Sequence, residues 1–160
     1  GHSMGAILSF ELTRALRRRH SLAPLHLFVS GRRAPHVRSD ERVTYNLPTA
    51  EFIERLRHLK GTPAEVLEHE ELLQLMLPIL RADFELVETY RYEDEPPLSC
   101  PISVYGGLED AEVEQEHLRA WCEQTIAACS LKMFEGDHFF LQTAQRLLLE
   151  AVRHDLSAYR

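Results

Sequence analysis

Two patterns of apolar residues alternate along the chain, and together they predict helices separated by buried strands. Apolar positions three and four residues apart predict helices over 4–20, 49–60, 70–90, 113–128 and 138–156, with a short helix starting at 62. Short apolar runs bounded by proline or glycine predict strands over 25–29, 101–105 and 131–134. Strands joined through helices pair in parallel, so the pattern predicts an α/β fold with crossover helices.

The region between the first two predicted strands differs from the rest of the chain. Residues 31–48 carry turn formers and scattered charge without periodicity, which predicts a loop. The helical stretch 70–90 has more apolar residues than one packed face needs, so we expect it to cover an apolar space as well as to pack on the body. An acidic connector with two prolines, at 93–97, ends this helical insert.

Composition narrows the class of protein. The chain has 160 residues, of which 44% are hydrophobic and 27% are charged, as is typical of one soluble globular domain. A formal net charge of -7 argues against a general nucleic-acid binder and against a binder of anionic membranes. The sequence contains neither an apolar run of 18 residues nor a signal-peptide pattern, so the expected location is the cytoplasm.

Two smaller features complete this picture. Cys100, Cys122 and Cys129 lack C-x-x-C spacing, and an odd number of cysteines without a framework suits a reducing compartment, so we expect three buried thiols.

The basic run 17–20 lies at the end of the first predicted helix, where it complements the helix dipole. We expect this run to be a solvated helix terminus.

The first five residues, Gly-His-Ser-Met-Gly, have the form G-x-S-x-G of a nucleophile elbow, in which a strand turns sharply into a helix. Small residues at Gly1 and Gly5 tolerate the strained backbone of Ser3 at the apex. The N–H of Met4, at the start of the helix, can face the oxygen that becomes negative when Ser3 attacks a carbonyl. Ser3 is therefore the candidate nucleophile, and the alternative is a Gly/Ser turn that only caps a helix.

Two loops that follow predicted strands carry the other groups that a serine nucleophile needs. His138 follows the third strand and has the chemistry of a general base, although it could instead cap the last helix. Asp110 follows the second strand and is the preferred acid, and Glu109 and Asp137 are the alternatives. Loops after parallel strands share one edge of the sheet, and the chain order Ser, acid, His is that of α/β-hydrolases.

The other eight histidines show no paired metal-ligand spacing, so we predict no metal site and treat them as surface or packing residues. His2 adjoins the candidate nucleophile. Its side chain is expected to point away from the serine in an elbow, which argues against a direct catalytic role.

Four segments resemble the type II thioesterases of nonribosomal peptide and polyketide synthesis. They are GHSMGA at 1–6, LFVSGRRAP at 27–35, VYGG at 104–107 with the acids that follow, and KMFEGDHFFL at 132–141. The likeness spans nearly the whole chain. The segments SGRRAP and GDHFFL are far more specific than the elbow motif alone.

The resemblance implies an α/β-hydrolase that removes acyl groups from the phosphopantetheine arms of carrier domains, and so clears misprimed or stalled chains. It places the nucleophile on Ser3, the acid on Asp110 and the base on His138. It makes 1–160 one partial hydrolase domain with a helical lid over about 48–95. It also implies a monomer that needs no cofactor of its own and whose partners are carrier domains.

The sequence departs from this family at its beginning. Family members have several strands before the elbow, including the loop that provides a second oxyanion N–H, and losing one such donor costs on the order of 100-fold in rate. This N-terminal third of the family has no counterpart in the sequence. We therefore expect the chain as given to be a fragment, a cleavage product or a later part of a longer protein, without full activity.

Three other functions are compatible with parts of the sequence. An acyltransferase of the malonyl-transfer type also has a Gly-His-Ser elbow, but usually with an acidic residue where this chain has Ala6. An ester or lipid hydrolase would share the fold and the three site residues. A non-catalytic module that binds carrier domains would retain the fold without turnover.

Overall fold

The computed structural model describes residues 1–38 and 42–159, which form two compact units. One unit comprises Gly1–Arg38 and Glu93–Arg160, and the other comprises Ser39–Tyr92. The predicted loop 31–48 includes residues 39–41, which lie outside the described residues. None of the helices within 1–38 and 42–159 has the length and apolar character that crossing a membrane requires.

Helices and strands alternate as the apolar pattern predicts. In chain order they are α1 (Met4–His20), β1 (Leu27–Ser30), α2 (Thr49–Leu59), α3 (Ala64–Glu68), α4 (Glu70–Thr89), β2 (Ile102–Gly107), α5 (Gln115–Arg119), a 3₁₀ segment (Ala120–Gln124), β3 (Cys129–Phe134), α6 (Phe140–Thr143), α7 (Gln145–Leu156) and a 3₁₀ segment (Ser157–Tyr159). The three strands form one sheet in the order β1-β2-β3, with both pairs parallel. The predicted parallel sheet is thus confirmed.

The central strand, β2, is the core of the first unit, and all six of its residues are buried. Tyr105 packs in a cluster with Phe134, Phe140 and Ala151, which joins α6 and α7 to the sheet. The hydroxyl of Tyr105 also donates a hydrogen bond to Asp155 on α7, at 3.0 Å. This packing anchors the strand whose end carries the loop with the candidate acid.

The predicted helix over 113–128 is wrong in its second half. The chain forms α5 and a 3₁₀ segment, and Thr125 then adopts an extended conformation and pairs with Leu98 as an isolated parallel bridge. The Thr125 hydroxyl donates to the carbonyls of Leu98 and Cys100, at 3.1 and 2.7 Å, which holds the backbone out of the helix. Ile126, which follows Thr125, is 78% exposed.

The expectation of three buried thiols is also wrong, because Cys122 and Cys129 form a disulfide bond. Strand β3 begins at Cys129, two residues earlier than predicted, and this brings the Cα atom of Cys129 to 5.3 Å from that of Cys122. This separation is within the usual range for a disulfide. Cys100 is a buried free thiol, as expected.

A cluster of ion pairs joins helix α1 to the connector at 93–97. Glu95 pairs with Arg14 and Arg17 at 2.8 Å each, and with Arg18. Arg14 is buried and also donates to the carbonyl of Glu93, at 2.6 Å. The predicted solvated terminus is therefore only partly correct, since Arg17 and Arg18 belong to a structural ion-pair cluster.

Replacing Glu95 with glutamine should destabilise the fold at neutral pH by about 2–4 kcal/mol, because buried Arg14 then keeps only one of its two carboxylate partners, Glu11, and Arg17 and Arg18 lose the same carboxylate. Burial by itself would raise the pKa of Glu95, but hydrogen bonds from Arg17, Arg14 and Arg18 outweigh it and lower that pKa to about 2. An unfolded glutamate titrates near ~4.3. The stabilisation is therefore present above that pH and is lost as the pH falls towards 2.

Urea unfolding of wild type and Glu95→Gln at several pH values measures this effect. The matched control is Glu150→Gln, which removes an exposed pair with Arg146 on α7 and should cost less than about 1 kcal/mol. A Glu95→Gln variant as stable as the control at pH 7 would contradict the assignment. So would a difference that does not shrink between pH 4.3 and 2.

The second unit is helical and has its own core. Phe52 and Leu56 of α2 pack with Leu67 of α3 and Leu73 of α4, and Phe84 meets Phe52 edge to face at 5.2 Å. Helix α4 also carries large apolar side chains that this core does not bury; they are Leu72, Leu75, Ile79 and Leu86. The expected excess of apolar residues on this helix is thus present.

Candidate active site

The elbow at the start of the chain is a strained turn held by strand-like hydrogen bonds. Ser3 has φ 51° and ψ -117°, a conformation that side chains rarely adopt and that often marks functional sites. Its N–H donates to the carbonyl of Ser30 at 2.8 Å, and the N–H of Ser30 donates to the carbonyl of Gly1 at 3.0 Å. These bonds place Ser3 at the carboxyl end of β1, where α1 begins.

The two elbow glycines are not equivalent. A Cβ atom added at Gly1 would lie 2.0 Å from the carbonyl oxygen of Gly5 and 2.6 Å from the hydroxyl of Ser9. A Cβ atom added at Gly5 would meet nothing within 4 Å in the described part of the chain. The expectation that both glycines are needed for steric tolerance holds here for Gly1 only.

Met4 is the first residue of α1. The first N–H groups of a helix have no partner within the helix. The N–H of Met4 therefore has no partner within α1, which an oxyanion donor requires. The oxyanion role of Met4 stays a prediction.

The loops after β2 and β3 meet because Gly107 has no side chain. A Cβ atom at this position would lie 2.3 Å from the carbonyl oxygen of Asp137 and 2.5 Å from that of Gly136. The N–H of Glu109 donates to the carbonyl of Gly136 at 3.0 Å, which ties the two loops together. This close approach brings Asp110 and His138, which are 28 positions apart in the chain, into contact.

Asp110 and His138 form a hydrogen-bonded pair across these loops. Asp110 Oδ2 lies 2.9 Å from His138 Nδ1, and Asp110 Oδ1 accepts a hydrogen bond from the N–H of Glu112 at 2.9 Å. The side chain of Asp110 is fully buried and that of His138 is 14% exposed. A buried carboxylate at Nδ1 favours the tautomer that leaves Nε2 free to accept a proton.

The two alternative acids make no such contact. Glu109 is exposed, and Asp137 is exposed and accepts a hydrogen bond from the N–H of Phe139 at 2.9 Å. Among the described residues, no hydrogen bond joins the Ser3 hydroxyl to His138. The structure thus brings Asp110 and His138 together. Ser3 is the neighbour in the chain of His2, whose ring contacts that of His138.

His2 contacts His138, although the elbow motif argued against a direct catalytic role for His2. The rings of His2 and His138 lie 4.9 Å apart between centroids, and His2 Nδ1 is 2.9 Å from the hydroxyl of Ser30. Burial, followed by the charge of His138, lowers the pKa of His2 to about 4. The signal in the sequence was its place beside the elbow, but only the pairing with β1 shows where its ring lies.

No three His, Cys, Asp or Glu side chains within 1–38 and 42–159 are grouped to hold a metal ion. The groups that meet at the site are a serine, an imidazole and a carboxylate. An elbow serine at a helix start, with an Asp–His pair on the loops after the next two strands, defines an α/β-hydrolase.

The chain belongs to the thioesterase domain family, whose sequence profile matches residues 1–156. Linear gramicidin dehydrogenase LgrE of Brevibacillus parabrevis is 45% identical over 99% of this chain and 62% of its own length. Gramicidin S biosynthesis protein GrsT of Aneurinibacillus migulanus is 45% identical over 94% of this chain and 59% of its own length. The resemblance to this family and the α/β-hydrolase fold are confirmed.

A solved structure gives the same result. The type II thioesterase BorB from the borrelidin biosynthetic cluster superposes with a TM-score of 0.87 at 37% identity, covering 98% of this chain and 63% of BorB. The chain thus spans about three fifths of the length of each of these relatives.

Proposed function

We propose that this chain is the catalytic part of a serine thioesterase that hydrolyses acyl groups from the phosphopantetheine arms of carrier domains. The observation that carries the proposal is the buried Asp110–His138 pair beside the elbow of Ser3. Similar proteins from NRPS/PKS pathways, such as ClbQ of the colibactin pathway and the type II thioesterase YbtT of the yersiniabactin pathway, support a substrate bound to a carrier. The carrier domain is the proposed partner, and the proposed enzyme is a monomer without a cofactor of its own.

In the proposed reaction, Ser3 Oγ attacks the thioester carbonyl while His138 Nε2 takes the hydroxyl proton. Asp110 stabilises the imidazolium that forms. The N–H of Met4 donates to the oxyanion of the tetrahedral intermediate. The C–S bond then breaks, and His138 returns the proton to the leaving phosphopantetheine thiol.

The second half of the reaction repeats these steps with water. His138 removes a proton from water as the water oxygen attacks the acyl ester on Ser3. The ester bond breaks, and the proton passes to Ser3 Oγ, which restores the enzyme and releases the free acid. The same groups thus serve both acylation and deacylation.

We also propose that the second unit, through its helices α2, α3 and α4, is the lid expected over about 48–95. Support comes from α4, whose Leu72, Leu75, Ile79 and Leu86 are exposed although the unit has a core of its own. A surface of this kind suits contact with an acyl chain or with the apolar part of a phosphopantetheine arm. The lid comprises most of the insert expected from the sequence.

An activity-based probe tests the proposed function directly. A fluorophosphonate should label the full chain once, and peptide mapping should place the label on Ser3, because the probe reports a serine activated by a general base. Labelling elsewhere, or none, would contradict the assignment of Ser3.

Substrate comparison separates the alternatives. The enzyme should release acid from an acyl carrier protein faster than from the same acyl group on a free ester. The reverse order would favour an ester or lipid hydrolase, and carrier binding without turnover would favour a non-catalytic module. Because LgrE is named a dehydrogenase, nicotinamide absorbance should be followed in the same assay, and substrate-dependent oxidation or reduction of the nicotinamide would contradict the proposal.

A further inference from the structure

His2 contacts the proposed base but has no part in the steps above. Its ring lies 4.9 Å from that of His138, with the two planes inclined by 49°. Phe139 and Phe140 also approach the His2 ring, each with a centroid separation of 6.1 Å. His2 therefore lies at the junction of the elbow and the loop that carries the base.

The position of the His2 ring is fixed from the strand side. His2 pairs with Ser30 in an isolated parallel bridge, and its Nδ1 is 2.9 Å from the Ser30 hydroxyl. His2 Nε2 is buried and has no hydrogen-bond partner among the described residues. No second hydrogen bond among the described residues therefore fixes the His2 ring. The ring contact with His138 is the interaction that we consider next.

Gly31 provides the room for this contact. A Cβ atom at Gly31 would lie 2.5 Å from His2 Cε1 and 3.3 Å from His138 Cε1, which is too close for the first atom and tight for the second. Gly31 also has φ 58°, which disfavours other residues. The turn after β1 is thus shaped around the pair of imidazole rings.

We propose that His2 is a positioning residue for His138: its ring, tied to Ser30, packs on the imidazole that Asp110 holds at Nδ1. The inference rests on the proposed function, in which His138 is the base. One hydrogen bond fixes one atom of an imidazole but leaves the ring free to tilt about it. The contact with His2 supplies a second constraint, so that Nε2 stays directed at the nucleophile.

The charge state of His2 suits this role. The groups that act on it are His138, Asp110 and the amino group of Gly1. Burial is the largest cause that lowers its pKa, His138 and Gly1 lower it further, and Asp110 opposes them, with a result of about 4. His2 is therefore uncharged near neutral pH, and it does not repel the imidazolium that forms on His138 in the proposed reaction.

Two substitutions separate ring packing from the other properties of His2. His2→Phe keeps a ring of similar size and removes both nitrogens, whereas His2→Ala removes the ring. In the full chain, His2→Ala should lower kcat about 10- to 100-fold with little change in KM, because the base is misplaced in the transition state. His2→Phe should retain kcat within about threefold.

Proton NMR gives a readout that needs no substrate. The hydrogen-bonded Nδ1 proton of His138 should give a sharp downfield signal in wild type and in His2→Phe. In His2→Ala that signal should broaden through exchange with water. Ser30→Ala removes the same hydrogen bond that His2→Phe loses and keeps the ring, so it should likewise give a sharp signal and a kcat within about threefold of wild type.

The outcomes decide the inference. An unchanged His138 signal and unchanged kcat in His2→Ala would overturn it, as would equal losses in His2→Ala and His2→Phe. The control His154→Ala alters an exposed histidine on α7 and should change neither readout. If no thioester is hydrolysed but the His138 signal responds as described, the proposed function fails while the positioning by His2 stands.

Discussion

Ser3→Ala should lower kcat for an acyl carrier protein by about 10⁴- to 10⁶-fold while leaving carrier binding nearly unchanged. Ser3 Oγ is the atom that forms the acyl bond in the proposed reaction, and alanine has no such atom. Alanine keeps a Cβ atom in the same strained turn, so the elbow with φ 51° should persist. Release of free acid at saturating substrate measures kcat, and titration with the acylated carrier measures binding.

A second serine controls for unspecific loss. Ser157 lies at the surface near the end of α7, where its hydroxyl donates to the carbonyl of His154 at 2.6 Å. Ser157→Ala should retain kcat within about twofold, because it removes only a terminal cap. Residual turnover in Ser3→Ala above about 1% of wild type would show that another group is the nucleophile.

Asp110→Asn should have the second largest effect, a loss in kcat on the order of 10³- to 10⁴-fold. The amide can donate to Nδ1, which favours the imidazole tautomer with its proton on Nε2. His138 then cannot accept the proton of Ser3, and the imidazolium loses the buried carboxylate 2.9 Å away. The pH dependence of kcat/KM for wild type and variant measures both consequences.

The two acids that the sequence left as alternatives are the matched controls. Glu109→Gln and Asp137→Asn also remove one negative charge each from the same pair of loops. Because neither carboxylate contacts His138, each should lower kcat less than about fivefold. A larger loss for either control than for Asp110→Asn would move the acid role to that residue.

Much of the fold follows from local pattern. The mainly apolar run of 101–105 predicts β2, which the structure has as Ile102–Gly107, because a strand buried on both faces is largely apolar. Its buried Ser103 donates a hydrogen bond to Asp155 at 2.7 Å. The helix predicted over 113–128 ends early, because long-range contacts outweigh the local helical preference. Thr125 is extended, and its hydroxyl bonds with the carbonyls of Leu98 and Cys100.

The same division holds in the site. The G-x-S-x-G motif indicates the turn at Ser3, because its first glycine, Gly1, meets a local steric need. The motif does not predict the contact between His2 and His138. This contact depends on the β-bridge of His2 with Ser30 and on the space left by Gly31. Residues that meet across the sheet edge leave no spacing in the sequence from which to predict the contact.

By itself, the sequence determined the order of helices and parallel strands, the elbow at Ser3 and the loops in which an acid and a histidine would lie. These features follow from periodicity and turn chemistry, which act over a few residues. Only the tertiary structure brought Asp110, rather than Glu109 or Asp137, into contact with His138. The physical reason is the absence of a side chain at Gly107, which lets the loops after β2 and β3 approach until one carboxylate alone can reach the imidazole.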